Sequence, residues 1–484
     1  MMRRVSVSTI CLGVLLSMLG TAPAAFAATT LTVDTFEDSF DGSCADGDCS
    51  IRDAVAAVDP GGTVRLPAGF FGLNRTGAGP DAGDIDLGRP VTIVGIGETG
   101  TFLDASGLND RVFDVAANVT LRHLTLLSGG PVGTGGLVRA RATTLVLSRI
   151  TMFGGIARDG GALAIGDTAT ASIDRSWIFG NEATDRGGGL FLRGTTVISR
   201  STISGNRAVG GGGAFIGPSH SLTFGNSTVS GNVAVRGGGV RAIGAIEFFF
   251  ASVVANRADV GGAALISPTS ESSTANSVFA RNEASERGPL CVRPLFSEGQ
   301  NVADARGCGL TASDDVTGVD PRVGAFRQNG GLTPTHALKI DSPAVGRGSG
   351  CHPTDQRGAP RSGGPDRSGC DSGAYELVFC LGRPVTIVGT PGPDEFSGGL
   401  GRDVFLGRGG DDEFQGSLDI DRACGGMGDD HLIGGPGDDL LNGNPGRDLL
   451  DGESGDDLLI GGPGADVCRG GPGQDISRRC ETVS

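Results

Sequence analysis

Lysine occurs once in the 484 residues, at Lys339, and Trp and Tyr occur once each, with aromatics only 5% of the chain. So few Trp and Tyr side chains argue against a dedicated sugar-stacking platform. No G-x-S-x-G elbow, H-E-x-x-H pair or Walker loop is present, so serine-hydrolase, zinc-protease and phosphate-loop chemistries lack their signals. Helical periodicity is absent from the body of the chain. Past residue 27 no apolar run reaches the ~20 residues that cross a bilayer, so no transmembrane anchor is expected in the mature chain. Positive charge is scarce: 39 basic residues stand against 55 acidic ones, a net −16. Neither nucleic acid nor an anionic membrane is expected as partner.

What is present begins at the N-terminus. Arg3 and Arg4 precede an apolar run from Val5 to Leu19, followed by Ala25-Phe26-Ala27. This reads as a secretory signal peptide, residues 1–27, cut after Ala27; the run is too short for a membrane anchor. Ten of the 11 cysteines lie beyond it, an even number that suits disulfides in an exported chain. Local pairing gives Cys44–Cys49, Cys291–Cys308, Cys351–Cys370 and Cys468–Cys480, leaving Cys380–Cys424. A zinc site is the rival reading, but no His stands at ligand spacing from a Cys pair.

Between residues 120 and 290 a unit recurs: "ITMFGG", "SWIFGN", "STISGN", "STVSGN", "SVVAN" and "SVFARN". They end at Gly155, Asn181, Asn206, Asn232, Asn256 and Asn282, at a period of about 25. Glycine clusters such as "GGGLF" and "GGGAF" lie between. Short β-branched stretches broken by Gly, Asn and Ser at this period predict coils of a parallel β-helix stacked ~4.8 Å apart, with the asparagines forming an amide ladder at a turn. "GGAL" and "FARN" resemble the repeats of bacterial polymorphic outer-membrane proteins, which implies a right-handed β-helix at the cell exterior.

Two further resemblances flank the coils. "DGSCADGDCSIRDA" resembles the CSLREA domain, which precedes β-helix repeats in exported bacterial proteins. Ser50 and Asp53 form an S-x-x-D capping box, and Ala54, Val55 and Val58 are expected to face inward as an N-terminal cap. A binding role for Arg52 and Asp53 is the alternative. At 329–376, "GGLTPTHAL", "DSPAVGRG", "DQRG" and "CDSGAYE" resemble the choice-of-anchor Q domain, which closes such solenoids. His336, His352, Asp355 and Asp371 are there either a site or, as expected, satisfied loop groups. No sortase motif or terminal apolar segment follows, so covalent anchoring is not expected. "LGRPVTIVG" occurs at 87–95 and again at 381–389, each read as a strand opening a glycine-rich coil region.

The acidity is local. Residues 389–478 hold 19 Asp and Glu against six Arg. From Gly389 the chain divides into ten nonapeptides without insertion. Their sixth residues are Asp394, Asp403, Asp412, Asp421, Asp430, Asp439, Asp448, Asp457, Asp466 and Asp475. The fourth is Gly in nine, Asp419 being the exception, and the eighth is apolar in most, from Phe396 to Leu459. This G-G-x-G-x-D-x-U-x pattern is identified as the RTX, or haemolysin-type, calcium repeat. Two nonapeptides make one coil, which stacks aspartates 18 residues apart. At ~4.8 Å and an effective dielectric of ~20, each stacked pair repels by roughly 3–4 kcal/mol. The roll should therefore close with Ca²⁺, bound by these ten aspartates and by carbonyls of the glycine turns. A disordered acidic tail would not keep a nine-residue period.

The fold expected is all-β: a right-handed parallel β-helix followed by a calcium-binding parallel β-roll. Its divisions are 1–27 signal peptide, 28–100 cap and first strands, 101–290 coils, 291–380 closing domain and 381–484 roll. The function expected is a secreted calcium-binding scaffold for cell-surface or matrix interaction, with extracellular polysaccharide or surface components as partners. The alternative is a polysaccharide lyase or C5-epimerase, since alginate epimerases combine a β-helix with calcium repeats. The D-P-H motif of the epimerases is missing, and Asp174 with Arg175 is the nearest approach to a catalytic pair in the coils.

Overall fold

The computed structural model describes residues 29–79, 81–97, 100–262, 264–266, 272–285, 291–305, 308–361 and 369–483. The signal peptide and its cleavage site lie outside the described residues.

One coil illustrates the β-helix. Thr195–Ser199 forms a strand, Arg200 turns a corner with φ near 48°, and Thr202–Ser204 continues on a second limb. Asn206 turns the chain again into Arg207–Gly210, a glycine cluster follows, and Ala214–Ile216 leads to Ser221–Gly225, one coil further on. Every strand pairs in parallel with its counterpart in the next coil, as in Ile198↔Phe224 and Ile203↔Val229. The two limbs form one L-shaped sheet; the remaining strands form sheets of eight and seven among the described residues. Alternation sends Ile173, Ile198, Phe224 and Phe248 into one continuous interior core. At Gly211, φ is 71° and an added Cβ would lie 2.2 Å from the Ala214 carbonyl oxygen, so this bend admits only glycine.

The expected amide ladder is present. Asn181, Asn206, Asn232, Asn256 and Asn282 are buried, and each Nδ2 donates to Oδ1 of the next at 2.9–3.0 Å. Each Oδ1 also accepts the backbone N–H of the preceding asparagine, which satisfies polar groups that water cannot reach. All five expected disulfides are formed.

At the N-terminal end the helix Ile51–Ala57 carries the capping box between Ser50 and Asp53, and Ala54 and Val58 are buried. Arg52 is buried in an ion pair with Asp38 at 2.5 Å and donates to the Gly83 carbonyl. Asp53 also accepts the backbone N–H groups of Asp41 and Gly42, so both residues serve packing of the cap.

Two expectations are corrected. The choice-of-anchor Q-like segment does not sit across the end of the solenoid; it lies along its side. On the second limb Thr202, Thr228 and Ser252 point outward yet are buried. Thr202 donates to the Pro334 carbonyl, Thr228 to Gln356, and Ser252 accepts from Ala374 N. Val254, Val278 and Ala280 pack there against Val323, Leu338, Tyr375 and Leu377. The outer face of these coils is small and half apolar, so a covering segment buries more surface on it than on one terminal coil. The first copy of "LGRPVTIVG" is likewise not an opening strand. Val91–Val94 pairs with Thr63–Arg65 on one side and Val119–Leu127 on the other. In the second copy, Ile387–Val388 does open a sheet of the roll.

The roll from Ile387 consists of two six-stranded parallel sheets with an 18-residue coil: Phe396↔Phe414↔Leu432↔Leu450↔Cys468 on one, Phe405↔Ala423↔Leu441↔Leu459 on the other. The eighth residues of the nonapeptides from Phe405 to Cys468 form its buried interior core.

Candidate metal centre in the aspartate ladders

The sixth-position aspartates stack in two ladders, one per side of the roll. Asp394, Asp412, Asp430, Asp448 and Asp466 form the first; Asp403, Asp421, Asp439, Asp457 and Asp475 form the second. In each, Oδ1 accepts the backbone N–H of the aspartate one coil earlier, at 2.7–3.0 Å. Asp412 through Asp466 are buried, whereas Asp394, Asp403 and Asp475, at the ladder ends, are partly exposed.

The other oxygen is the telling one. Oδ2 of Asp412, Asp421, Asp430, Asp439, Asp448, Asp457 and Asp466 is buried with no hydrogen-bond partner. Each lies against the first glycine of its own nonapeptide: an added Cβ at Gly407, Gly425 or Gly443 would stand 2.1–2.2 Å from it. The fourth-position glycines stack as tightly, since a Cβ at Gly455 would be 1.8 Å from the Gly437 carbonyl oxygen. Side chains at either position would fill the space beside the carboxylate and its neighbouring carbonyls.

Burial is the main force on these carboxyls. It pushes Asp412, Asp421 and Asp430 up to about 6, and Asp439 and Asp448 up to about 7. The backbone N–H each accepts works against the rise, and neighbouring aspartates add to it. The expectation that mutual repulsion dominates is thus corrected: desolvation exceeds it, because Oδ1 is turned to an N–H rather than to the next carboxylate.

Seven orphaned anionic oxygens beside glycine carbonyls fit a hard cation that takes oxygen ligands. Among the described residues no three His, Cys, Asp or Glu side chains converge on one point. A cation here would draw most of its oxygens from the backbone.

Two features escaped the sequence reading. Glu481 stands where an eleventh repeat would place an aspartate and accepts the Asp466 N–H at 2.6 Å. Its spacing breaks the nine-residue period, which is why the pattern hid it. Fifth-position aspartates form outer half-ladders, Asp411 accepting from Asp429 N and Asp438 from Asp456 N; the recurrent Asp-Asp pairs signal them.

The other candidate residues do not assemble into a site. Asp174 pairs with Arg200 of the next coil at 2.8 Å, not with Arg175. His336 bonds to Ser230 Oγ and the Gly324 carbonyl, and burial holds it below its ordinary value. His352 is exposed at a turn. Asp355 holds Arg357 at 2.9 Å, and Asp371 accepts from Gly346 N and Leu377 N.

Residues 386–423, 425–459 and 442–476 match the family model of the RTX calcium-binding nonapeptide repeat. Among solved structures, the pectate lyase Pel9A is similar at 14% identity over 72% of this chain and 97% of that one, with a TM-score of 0.39. The Agl-KA catalytic domain is similar at 12% identity over 96% and 70%, with a TM-score of 0.26. No curated protein matches the chain. The chain is a parallel β-helix protein whose C-terminal region consists of RTX calcium-binding repeats.

Proposed function

We propose that this protein is an exported β-solenoid scaffold for interaction at a cell surface or in an extracellular matrix, whose C-terminal roll is completed by Ca²⁺. The carrying observation is the set of seven buried carboxylate oxygens without partners. In this reading Asp394, Asp403, Asp412, Asp421, Asp430, Asp439, Asp448, Asp457, Asp466 and Asp475 hold the ion, with glycine carbonyls beside them. Bound calcium supplies neutralising charge and coordination energy. The chain's own part is to fix Oδ1 on a backbone N–H and leave Oδ2 free, so each coil that closes presents an oriented ligand to the ion. Export is supported by the signal-peptide pattern and the five disulfides. Among the described residues no helix is long and apolar enough to cross a membrane.

The test is a calcium titration of the full-length protein followed by small-angle scattering, together with binding of labelled protein to intact producer cells in calcium and in EDTA. Cooperative compaction at ~10⁻⁴–10⁻³ M Ca²⁺, the range of extracellular modules, is expected, with little response to Mg²⁺. Calcium-dependent retention on cells supports the scaffold role. Unchanged dimensions across the titration would end the calcium part, and absence of retention the surface part.

A further inference from the structure

The two aspartate ladders end differently. The second stops at Asp475, which is partly exposed. The first continues into residues outside the nonapeptide pattern. Arg479 follows Gly461 by 18 residues, where an eleventh nonapeptide would begin. There the chain leaves the pattern with a φ of 54°. Glu481 reaches back to Asp466 over 15 residues, where Asp466 reaches Asp448 over 18, so the last turn is shorter by three. Glutamate is one methylene longer than aspartate, and that length serves the shortened turn. Its Oε2 accepts the Asp466 N–H at 2.6 Å, the bond that Oδ1 makes in the coils before it. Its Oε1 accepts no hydrogen bond from the described residues and so corresponds to the partnerless Oδ2 of the aspartates.

The cradle beside Asp466 is complete. Asp466 is fully buried, and its Oδ2 has no hydrogen-bond partner. A Cβ added at Gly461 would lie 2.5 Å from that oxygen and 2.2 Å from the Arg479 carbonyl oxygen. At Gly407 the same construction gives 2.2 Å to Asp412 Oδ2 and 2.2 Å to the Gly425 carbonyl oxygen. The Arg479 carbonyl thus takes the place of a first-position glycine carbonyl, although the residue is arginine. It accepts the Gly462 N–H at 3.3 Å, as Gly443 accepts from Gly426 at 3.2 Å. The tail is held mainly at Asp466, whose carbonyl receives Glu481 N and Thr482 N at 3.1 Å each. Arg479, Glu481 and Val483 are exposed, so burial contributes little to holding it. The Cys468–Cys480 disulfide ties the turn to the buried Cys468 of the interior core.

We propose that Asp466 Oδ2, the Arg479 carbonyl and the Glu481 carboxylate form a Ca²⁺ site completed outside the ten repeats, with the Cys468–Cys480 disulfide as its positioning group. Two carboxylates and a carbonyl suit a hard cation, and water reaches the open side past Glu481 to fill the remaining places. The inner coils draw their carboxylates from the repeat; this site draws its second from a residue the repeat does not contain. The inference rests on the calcium reading of the roll and adds a ligand set to it.

The experiment counts calcium bound to the full-length protein by native mass spectrometry and equilibrium dialysis. Glu481→Gln keeps the disulfide and an acceptor for the Asp466 N–H but removes the charge. It should bind one ion fewer than wild type, with the midpoint for the other ions changed by less than about twofold. Glu413→Gln, which removes an exposed carboxylate outside the ladders, should keep the full count. Cys468→Ser/Cys480→Ser should lose the same ion and regain it at about tenfold higher calcium, a recovery that a merely misfolded end would not show. Should the cysteine variant fold poorly, hydrogen exchange in Glu481→Gln gives a second reading. Its Asp466 and Thr482 amides should exchange faster than in wild type with calcium, and equally in EDTA. A full count in Glu481→Gln, or the same loss in Glu413→Gln, overturns the proposal, and an unchanged midpoint in the folded cysteine variant overturns the positioning role. Absence of bound calcium in wild type sinks the calcium reading of the roll; a full count in Glu481→Gln with wild-type compaction sinks only this inference.

Discussion

Asp439 Oδ1 accepts the Asp421 N–H, its own N–H donates to Asp457 Oδ1, and its Oδ2 touches no donor. Asp475 makes the same backbone contact with Asp457 N but is partly exposed, so water reaches it. Asp439→Ala should therefore raise the calcium midpoint by on the order of tenfold, and Asp475→Ala by much less. Calcium titrations of the two variants check this, and a larger effect at Asp475 would contradict the burial argument. At Asn232 the side chain bonds to Asn206, Asn256 and the Ile203 carbonyl. Asn232→Ala leaves buried amides unpaired and should cost ~1–3 kcal/mol in urea unfolding. Both positions were legible as ladder members from spacing alone. Glu481 and the partner of Asp174 were not, because each depends on which coil lies next to which.

At the scale of the roll, the raised carboxyls fix the sign of its pH dependence. Their folded values of about 6 to 7 lie above the ordinary carboxylate range, so the folded roll binds more protons than the unfolded chain between about pH 4 and 7. Without calcium its stability is fully present below that range and is lost as pH rises through the folded values, the reverse of a salt-bridged aspartate. In EDTA the roll should be more resistant to urea at pH 5 than at pH 8. With calcium the order should invert, since protons compete for the same oxygens. Circular dichroism of the full chain at the two pH values, with and without calcium, checks both signs. Period and glycine placement identified this element in the sequence; the turn of Oδ1 toward an N–H, which makes desolvation outweigh repulsion, is fixed only when one coil stacks on the next.

For the whole molecule the question is which parts stand alone. The β-helix and its lateral cover share a core and buried polar contacts that use no calcium, including Arg361 with Asn226 and Glu376. Residues 28–378 should give a strand-type spectrum in EDTA, and a requirement for calcium would count against this. The roll is tied on by Cys380–Cys424, which closes 44 residues. Replacing both cysteines by serine should cost about 4 kcal/mol in the chain-entropy account, seen as a lowered unfolding midpoint of the calcium-loaded roll.

Sequence by itself determined everything that is periodic: the 25-residue coils and their asparagine ladder, the nonapeptide aspartates, the inward eighth residues and the local disulfides. Repetition makes each residue's neighbour its own counterpart one coil away, so a one-dimensional pattern already contains the contact. Tertiary structure decided what is not periodic. The 321–377 segment lies on the side of the solenoid because small outward residues of several coils form a surface that exists only after stacking.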